Sequence, residues 1–206
     1  MRKLACVFAL AAACAFGQYK LESAGAPPSE ASQAIRDALQ KDGAKLTGPN
    51  GAVCEIWLRT SAPSAANSEQ NVSFANLAHG TLLGVIHFST KGTDRRGQPI
   101  QPGVYTLRLS FYPIDGAHQG VAPSRDFLLL SPASSDTDLN ATPKYEALVD
   151  MSRKASGTRH PAILNTWKPD SAEAAPTLKQ EGEDWVLYST VGDRPIAIIV
   201  VGTFQS

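Results

Sequence analysis

The clearest alternation of apolar and polar side chains lies between Ile100 and Pro113. Every second position there is large and apolar: Tyr105, Leu107, Leu109 and Phe111. The positions between them are mixed: Val104, Thr106, Arg108 and Ser110. A period of two residues is typical of a β-strand that turns one face towards a core. We therefore predict a central strand here, with its large apolar side chains inside the protein.

Similar short patterns recur along the chain and are separated by turn signals. They cover residues 52–59, 71–77, 81–88, 127–130, 162–167, 177–180, 184–191 and 196–204. Two of them, 81–88 and 196–204, are apolar on both faces, which indicates strands covered on both sides. Many short strands with turns between them predict a mainly β protein, an antiparallel β-sandwich or open barrel of about eight or nine strands.

Two segments have a helical period, and we expect both helices to lie at the periphery of the sheet. Residues 29–41 place Ile35 and Leu39 on one narrow apolar face. The second helix is predicted to open at Thr142-Pro143, with Thr142 as the N-cap, and to end by Gly157.

The first residues have the pattern of a secretory signal peptide. A positively charged start precedes an apolar run, residues 4–13, that is too short to span a bilayer. The small residues that follow favour cleavage after Gly17. In the alternative interpretation, residues 11–14 form a lipobox and Cys14 becomes a lipidated N-terminus. Both interpretations predict an exported protein, periplasmic or secreted.

The chain then divides into three parts: the signal peptide, residues 1–17; an N-terminal segment with a short helix, residues 18–46; and a β-sandwich domain, residues 47–206. No segment after the signal has the apolar length of a transmembrane helix. The only membrane association that the sequence predicts is therefore the N-terminal lipid of the alternative interpretation.

Cysteine content and charge exclude several classes of protein. Removing residues 1–17 leaves Cys54 as the one cysteine, so no intramolecular disulfide stabilises the exported domain. Cys54 shares a face with Ile56 and Leu58, which predicts a buried, unreactive thiol. The chain has 19 basic and 19 acidic residues with no long run of one sign, so a nucleic-acid partner is not expected.

A calcium loop is one candidate for chemistry. Asp136, Asp138 and Asn140 place oxygen ligands at alternate positions, as in the opening of a calcium-binding loop. The sixth position is Ala141 instead of glycine, and the twelfth is Ala147 instead of glutamate. A turn that leads into the following helix explains the same residues, and both interpretations stay open.

Two further loops contain residues of the catalytic types. His118, Arg125 and Asp126 lie within nine residues, and His160 follows an arginine in a later loop. A histidine beside charged groups is suited to acid–base catalysis or anion binding. The local signatures of zinc hydrolases, serine hydrolases and nucleotide-binding enzymes are absent from the sequence, and no cofactor is expected.

The middle of the chain resembles a group of exported bacterial β-sandwich domains of unknown function. The similarity is carried by residues 80–88, by the polar loop Asp94-Arg95-Arg96-Gly97-Gln98, and by the strand start at residues 102–107. It covers residues 52–132. The resemblance implies an exported β-sandwich, and it assigns no catalytic residue.

These observations leave two hypotheses. The first is a non-enzymatic exported β-sandwich that binds a partner or a carbohydrate-like ligand, or that has a role in the cell envelope. The second is a hydrolase-like enzyme whose site is dispersed over His118, Arg125, Asp126 and His160. The second hypothesis requires these residues to converge in one pocket. Exposed aromatic side chains, with Trp57, Trp167 or Trp185 as candidates, would favour ligand binding.

Overall fold

The structure is a computed structural model that describes residues 19–65, 69–114 and 124–203. The strands are β1 (Lys20–Gly25), β2 (Gly43–Gly48), β3 (Gly51–Leu58), β4 (Leu82–Phe88), β5 (Gly92–Thr93), β6 (Pro99–Ile100), β7 (Gly103–Phe111), β8 (Asp126–Pro132), β9 (Ile163–Trp167), β10 (Thr177–Glu181), β11 (Asp184–Val191) and β12 (Arg194–Val201). The helices are α1 (Gln33–Ala38) and α2 (Tyr145–Ser156). The predicted signal peptide and Cys14 lie outside the described residues.

Ten of the strands form one antiparallel sheet in the order β1-β2-β3-β4-β7-β8-β9-β12-β11-β10. The sheet curls until it is nearly a closed barrel, with β1 and β10 as its two edges. Strands β5 and β6 pair only with each other. The predicted mainly β fold with two helices is confirmed, and the open barrel describes it better than two separate layers.

The sheet has ten strands because β1 and β2 belong to it. Both are built from small and polar residues, KLESAG and GAKLTG, whose alternation is weak. Both lie largely within residues 18–46, so that segment shares its sheet with the rest of the chain. The strand predicted at residues 71–77 does not form. That segment is a loop whose Phe74 and Leu77 are buried in the main core.

Because neighbouring strands are antiparallel, each strand begins at one end of the barrel and finishes at the other. The mouth end of the barrel is the end where β3 finishes at Leu58 and β7 finishes at Phe111. The far end is where β4 finishes at Phe88 and β8 finishes at Pro132. The loop that carries Phe74 connects β3 to β4, so its buried side chains fill the interior at the mouth end.

Strand β7 is buried on both of its faces. The predicted apolar set, Tyr105, Leu107, Leu109 and Phe111, points into the barrel and joins the main core. The opposite face was expected to be mixed, yet Thr106, Arg108 and Ser110 have no exposed surface. The segment 133–143 and helix α2 lie over this side of the sheet, which we call the outer face of the barrel.

Each helix covers an apolar patch of the outer face. In α1, Ile35 packs with Trp57, Leu82 and Val85. In α2, Leu148 packs in a cluster with Tyr112, Phe127, Leu129 and Ile163. Neither helix of the described chain has the length and apolar content needed to cross a membrane.

The predicted start of α2 is wrong by two residues, whereas its predicted end is right. The helix begins at Tyr145 with Lys144 in the N-cap position, because the residues before it are held over the outer face, where the Ala141 carbonyl accepts a hydrogen bond from Arg108. It ends at Ser156, and the capping residue Gly157 has a left-handed conformation at φ 69° that favours glycine.

Candidate functional site

The outer face of the barrel contains a buried arginine, Arg108, whose hydrogen bonds are complete. A guanidinium has five N–H donors, and Arg108 makes five hydrogen bonds of 2.5–2.7 Å. Nε and one Nη2 donor bind the two carboxylate oxygens of Asp136 in a bidentate pair. The other three donors bind the backbone carbonyls of Gly80, Ala141 and Asp138.

The carboxylate of Asp136 is therefore committed to this ion pair. Its Oδ2 accepts a third hydrogen bond from Thr106 Oγ1 at 2.5 Å. Asp138 is exposed, and its side chain accepts a hydrogen bond from the Asn140 backbone N–H at 2.9 Å, which forms a local turn. The two carboxylates of the predicted calcium loop, Asp136 and Asp138, thus have other partners. In the described part of the chain, no cluster of three His, Cys, Asp or Glu residues is suited to hold a metal ion.

Asp126 and Arg125 both bind the loop that fills the mouth end of the barrel. The Asp126 side chain is fully buried and accepts hydrogen bonds from the backbone N–H groups of Ser73, at 2.8 Å, and Phe74, at 3.1 Å. Arg125 forms an ion pair with Glu69 at 2.9 Å and donates to the Tyr112 carbonyl at 2.7 Å. Both residues have a structural role, because they fix the loop that carries Phe74 and Leu77.

The candidate residues lie at opposite ends of the strand pair β8–β9. Asp126 is at the mouth end of β8, and the register Phe127↔Asn165 and Leu129↔Ile163 runs from there to the far end. His160 precedes β9 at the far end and is exposed. At about 3.3 Å per residue, six positions separate the two levels by roughly 20 Å. His118 lies outside the described residues.

His79 and Ser110 form a contact that resembles a base and its nucleophile. His79 Nε2 lies 3.2 Å from Ser110 Oγ, within the range of such pairs. Burial lowers the pKa of His79, against smaller raising effects from Glu69 and Glu146, which favours the neutral imidazole. Ser110 is fully buried near the end of β7, so its hydroxyl does not meet a substrate in this conformation.

A cavity of about 240 Å³ opens at the mouth end, beside the gap between the two edges of the sheet. Its apolar wall comes from the barrel interior, with Ile56, Leu58 and Leu187. Its polar side chains are Gln40, Asp42 and Ser189. A smaller cleft of about 110 Å³, lined in part by Glu173 and Thr190, shares Gln40, Pro176 and Ser189 with it.

Two of the polar groups in this cavity are held in place by neighbouring strands. Asp42 Oδ1 accepts hydrogen bonds from Ser23 Oγ at 2.7 Å and from the Gly25 N–H at 2.8 Å. Gln40 donates to the Thr190 carbonyl at 3.1 Å. The Ser189 hydroxyl has no hydrogen-bond partner among the described residues. The cavity therefore combines fixed polar groups with one available hydroxyl over an apolar wall.

Cys54 is buried in the main core, as predicted. Burial, with a smaller contribution from the charge of Glu55, raises the pKa of its thiol to about 12, so the reactive thiolate does not form near neutral pH.

The tryptophans do not form one platform. Trp57 is buried and donates to the Gly25 carbonyl at 2.7 Å. Trp167 and Trp185 are half-buried and contact different tyrosines, Tyr188 and Tyr19 respectively.

The functional residues that sequence reasoning missed come from distant positions in the chain. The cavity joins Gln40 and Asp42 to Ser189, about 150 positions later, and no local motif connects them. Arg108 was placed on the correct face of β7, but its burial depends on the segment 133–143. The sequence did contain one signal, a single arginine in a strongly apolar strand. A buried arginine requires a partner, so this position indicated a buried ion pair.

Comparison with protein-family models, with curated protein sequences and with solved structures finds no match to this chain. The resemblance to exported β-sandwich domains therefore remains an expectation from the sequence, and the chain's function has to be argued from its own geometry.

Proposed function

We propose that this chain is an exported, non-enzymatic binding protein that takes a small hydroxyl-bearing ligand, such as a carbohydrate, in the cavity at the mouth end. The observation that carries the proposal is the composition of this cavity. Apolar side chains such as Leu58 and Leu187 suit the C–H face of such a ligand, and the polar groups of Gln40, Asp42 and Ser189 suit its hydroxyls.

The size of the cavity limits the ligand. About 240 Å³ is below the roughly 300–1,000 Å³ that is usual for sites of drug-sized compounds. A single sugar ring, or one terminal ring of a longer chain, is the expected occupant. The adjoining cleft, lined in part by Glu173 and Thr190, gives a longer ligand a path away from the barrel.

The binding test compares two substitutions of Ser189. Ser189→Phe fills the cavity, and Ser189→Ala removes only the hydroxyl. Titration of a panel of mono- and disaccharides, followed by ligand-observed NMR and calorimetry, is expected to detect binding to the wild-type protein. Ser189→Ala should weaken it by several-fold, since it loses one hydrogen bond of about 1 kcal/mol, and Ser189→Phe should abolish it. Undiminished binding by Ser189→Phe, or no binding by the wild-type protein, would contradict the proposal.

Export is tested separately by the mass of the mature protein. Cleavage after Gly17 predicts an N-terminus at Gln18 and no lipid, whereas the lipoprotein interpretation predicts a diacylated Cys14. Detection of the intact chain in the cytoplasm, with Met1 retained, would contradict both interpretations.

The alternative function is a hydrolase-like enzyme. In the described chain, Arg125 and Asp126 bind the loop at residues 69–77, and His160 lies at the other end of β8–β9. The alternative therefore depends on His118. Turnover in a broad hydrolase panel that is lost on His118→Ala would support it over binding, and its absence is the expected result.

A further inference from the structure

A second buried arginine, Arg59, lies on the outer face of the barrel close to Arg108. It follows β3, where its backbone N–H donates to the Leu83 carbonyl and its carbonyl accepts from the Gly192 N–H. Alternation along β3 places it on the side of Trp57, opposite the interior residue Leu58. Only 7% of Arg59 is exposed.

The guanidinium of Arg59 has one acceptor where that of Arg108 has five. Nη1 donates to the Leu82 carbonyl at 3.3 Å, and Nε is buried without a hydrogen-bond partner. No carboxylate of the described residues forms a salt bridge with it. Burial, and secondly the charge of Arg108, lower the pKa of Arg59, which reflects the cost of a buried charge without a counter-ion.

The Arg59 guanidinium has a side without acceptors in the described chain, and the geometry of that side suits a carboxylate. Nε and Nη2 form the side of a guanidinium that binds two oxygens of one carboxylate, and Arg108 uses these same atoms for Asp136. On Arg59 these atoms have no acceptor among the described residues.

Charge balance favours a monoanion. Arg59, Arg108 and Asp136 together carry one net positive charge in a poorly hydrated region. One carboxylate neutralises this charge, whereas a phosphate dianion would leave an uncompensated negative charge.

We propose that Arg59 is the anchor of a binding site for a small monocarboxylate, held side-on by its Nε and Nη2 donors. The site is on the outer face of the barrel and shares no lining residue with the cavity at the mouth end. The carboxylate site can therefore be tested independently of the proposed carbohydrate binding. Arg59 alone supplies the positive charge for the ligand. Its neighbours are fixed, because Leu82 is paired in the sheet and Arg108 is held by Asp136.

The direct test observes the Nε–Hε group of Arg59 by NMR in protein labelled with ¹⁵N-arginine. The Arg59→Lys variant, which lacks this group, assigns the signal. Titration with sodium acetate is expected to move the Arg59 Hε signal downfield in a saturable way. The Arg108 signal should stay in place, because its donors are already occupied. Sodium chloride at the same ionic strength should not reproduce the shift.

The second readout is thermal stability. Acetate and propionate should raise the melting temperature of the wild-type protein above that in chloride, because a ligand that binds only the folded state stabilises it. Arg59→Met and Arg59→Lys should lose this increase entirely, and Arg153→Met, a substitution of an exposed arginine, should retain it. A stationary Arg59 signal in acetate, an equal shift in chloride, or an undiminished increase in Arg59→Met would each overturn the proposal.

Discussion

Arg108 and Arg59 are two buried arginines on the same outer face, and they differ in how many acceptors and counter-ions surround the guanidinium. Around Arg108, the segment 133–143 supplies Asp136 and two carbonyls, so all five donors are bonded. Around Arg59, one carbonyl at 3.3 Å is the only acceptor from the described chain. The difference indicates that Arg108 stabilises the fold, whereas the donors of Arg59 without an acceptor in the described chain agree with its proposed role in binding a carboxylate.

The largest effect is expected when Arg108 is deprived of its counter-ion. Asp136→Ala leaves a fully buried guanidinium without a carboxylate, which we expect to lower the free energy of unfolding by about 3–5 kcal/mol. The matched control is Asp138→Ala, two positions away and exposed, which should cost no more than about 1 kcal/mol. Urea denaturation measures both. Equal losses would show that Asp136 does not stabilise the buried charge.

A conservative substitution made at both arginines sharpens the comparison. Arg108→Lys keeps the charge but has three donors instead of five, so at least two buried acceptors lose their partners, and we expect a loss of about 2–4 kcal/mol. Arg59→Lys should change the unfolding free energy by less than about 1 kcal/mol. The same denaturation experiment tests this, and a larger loss at Arg59 than at Arg108 would reverse our interpretation of the two regions.

Cys54 provides a third kind of burial, that of a group which stays neutral. Its folded pKa is raised to about 12 from 9.0, so the unfolded chain binds fewer protons between these pH values. Its contribution to stability is therefore complete below pH 9 and is lost as the pH rises, by up to about 1.4 kcal/mol per pH unit. Wild-type protein should lose about 1.6 kcal/mol more than Cys54→Ala between pH 9 and pH 10.5. Parallel pH profiles of unfolding free energy would contradict the burial of the thiol.

The smallest effect is expected for Arg59→Met. The substitution loses one long hydrogen bond but also removes a buried charge without a counter-ion, so stability should stay within about 1 kcal/mol of wild type or increase. Calorimetric melting in chloride measures this. A loss as large as that of Asp136→Ala would mean that the guanidinium of Arg59 has a structural role.

Prediction from sequence succeeded where one residue pattern is sufficient. The four apolar residues of β7 point inward, and the second helix ends where Gly157 indicated. It was least successful where long-range pairing decides the structure. Strands β1 and β2 have weak alternation and form because each pairs with a neighbour in the sheet.

The candidate site residues illustrate the same limit. Asp126, Asp136 and Arg125 are of residue types that catalyse reactions or bind metals, but each has a partner that lies 28–56 positions away in sequence. A carboxylate in a loop has the same local sequence whether it binds an ion, a backbone N–H or an arginine. Its role becomes visible only when the contact is known.

The amino-acid sequence by itself determined the mainly β class and the side of β7 that faces the core, since alternation is a local property that fixes which side chains share a face. Only the tertiary structure decided what covers the other side. That depends on where the segment 133–143 docks, and this docking buries Arg108 with its counter-ion while it leaves Arg59 without one. Burial on a second face arises from segments far apart in the chain, and no period along one strand encodes it.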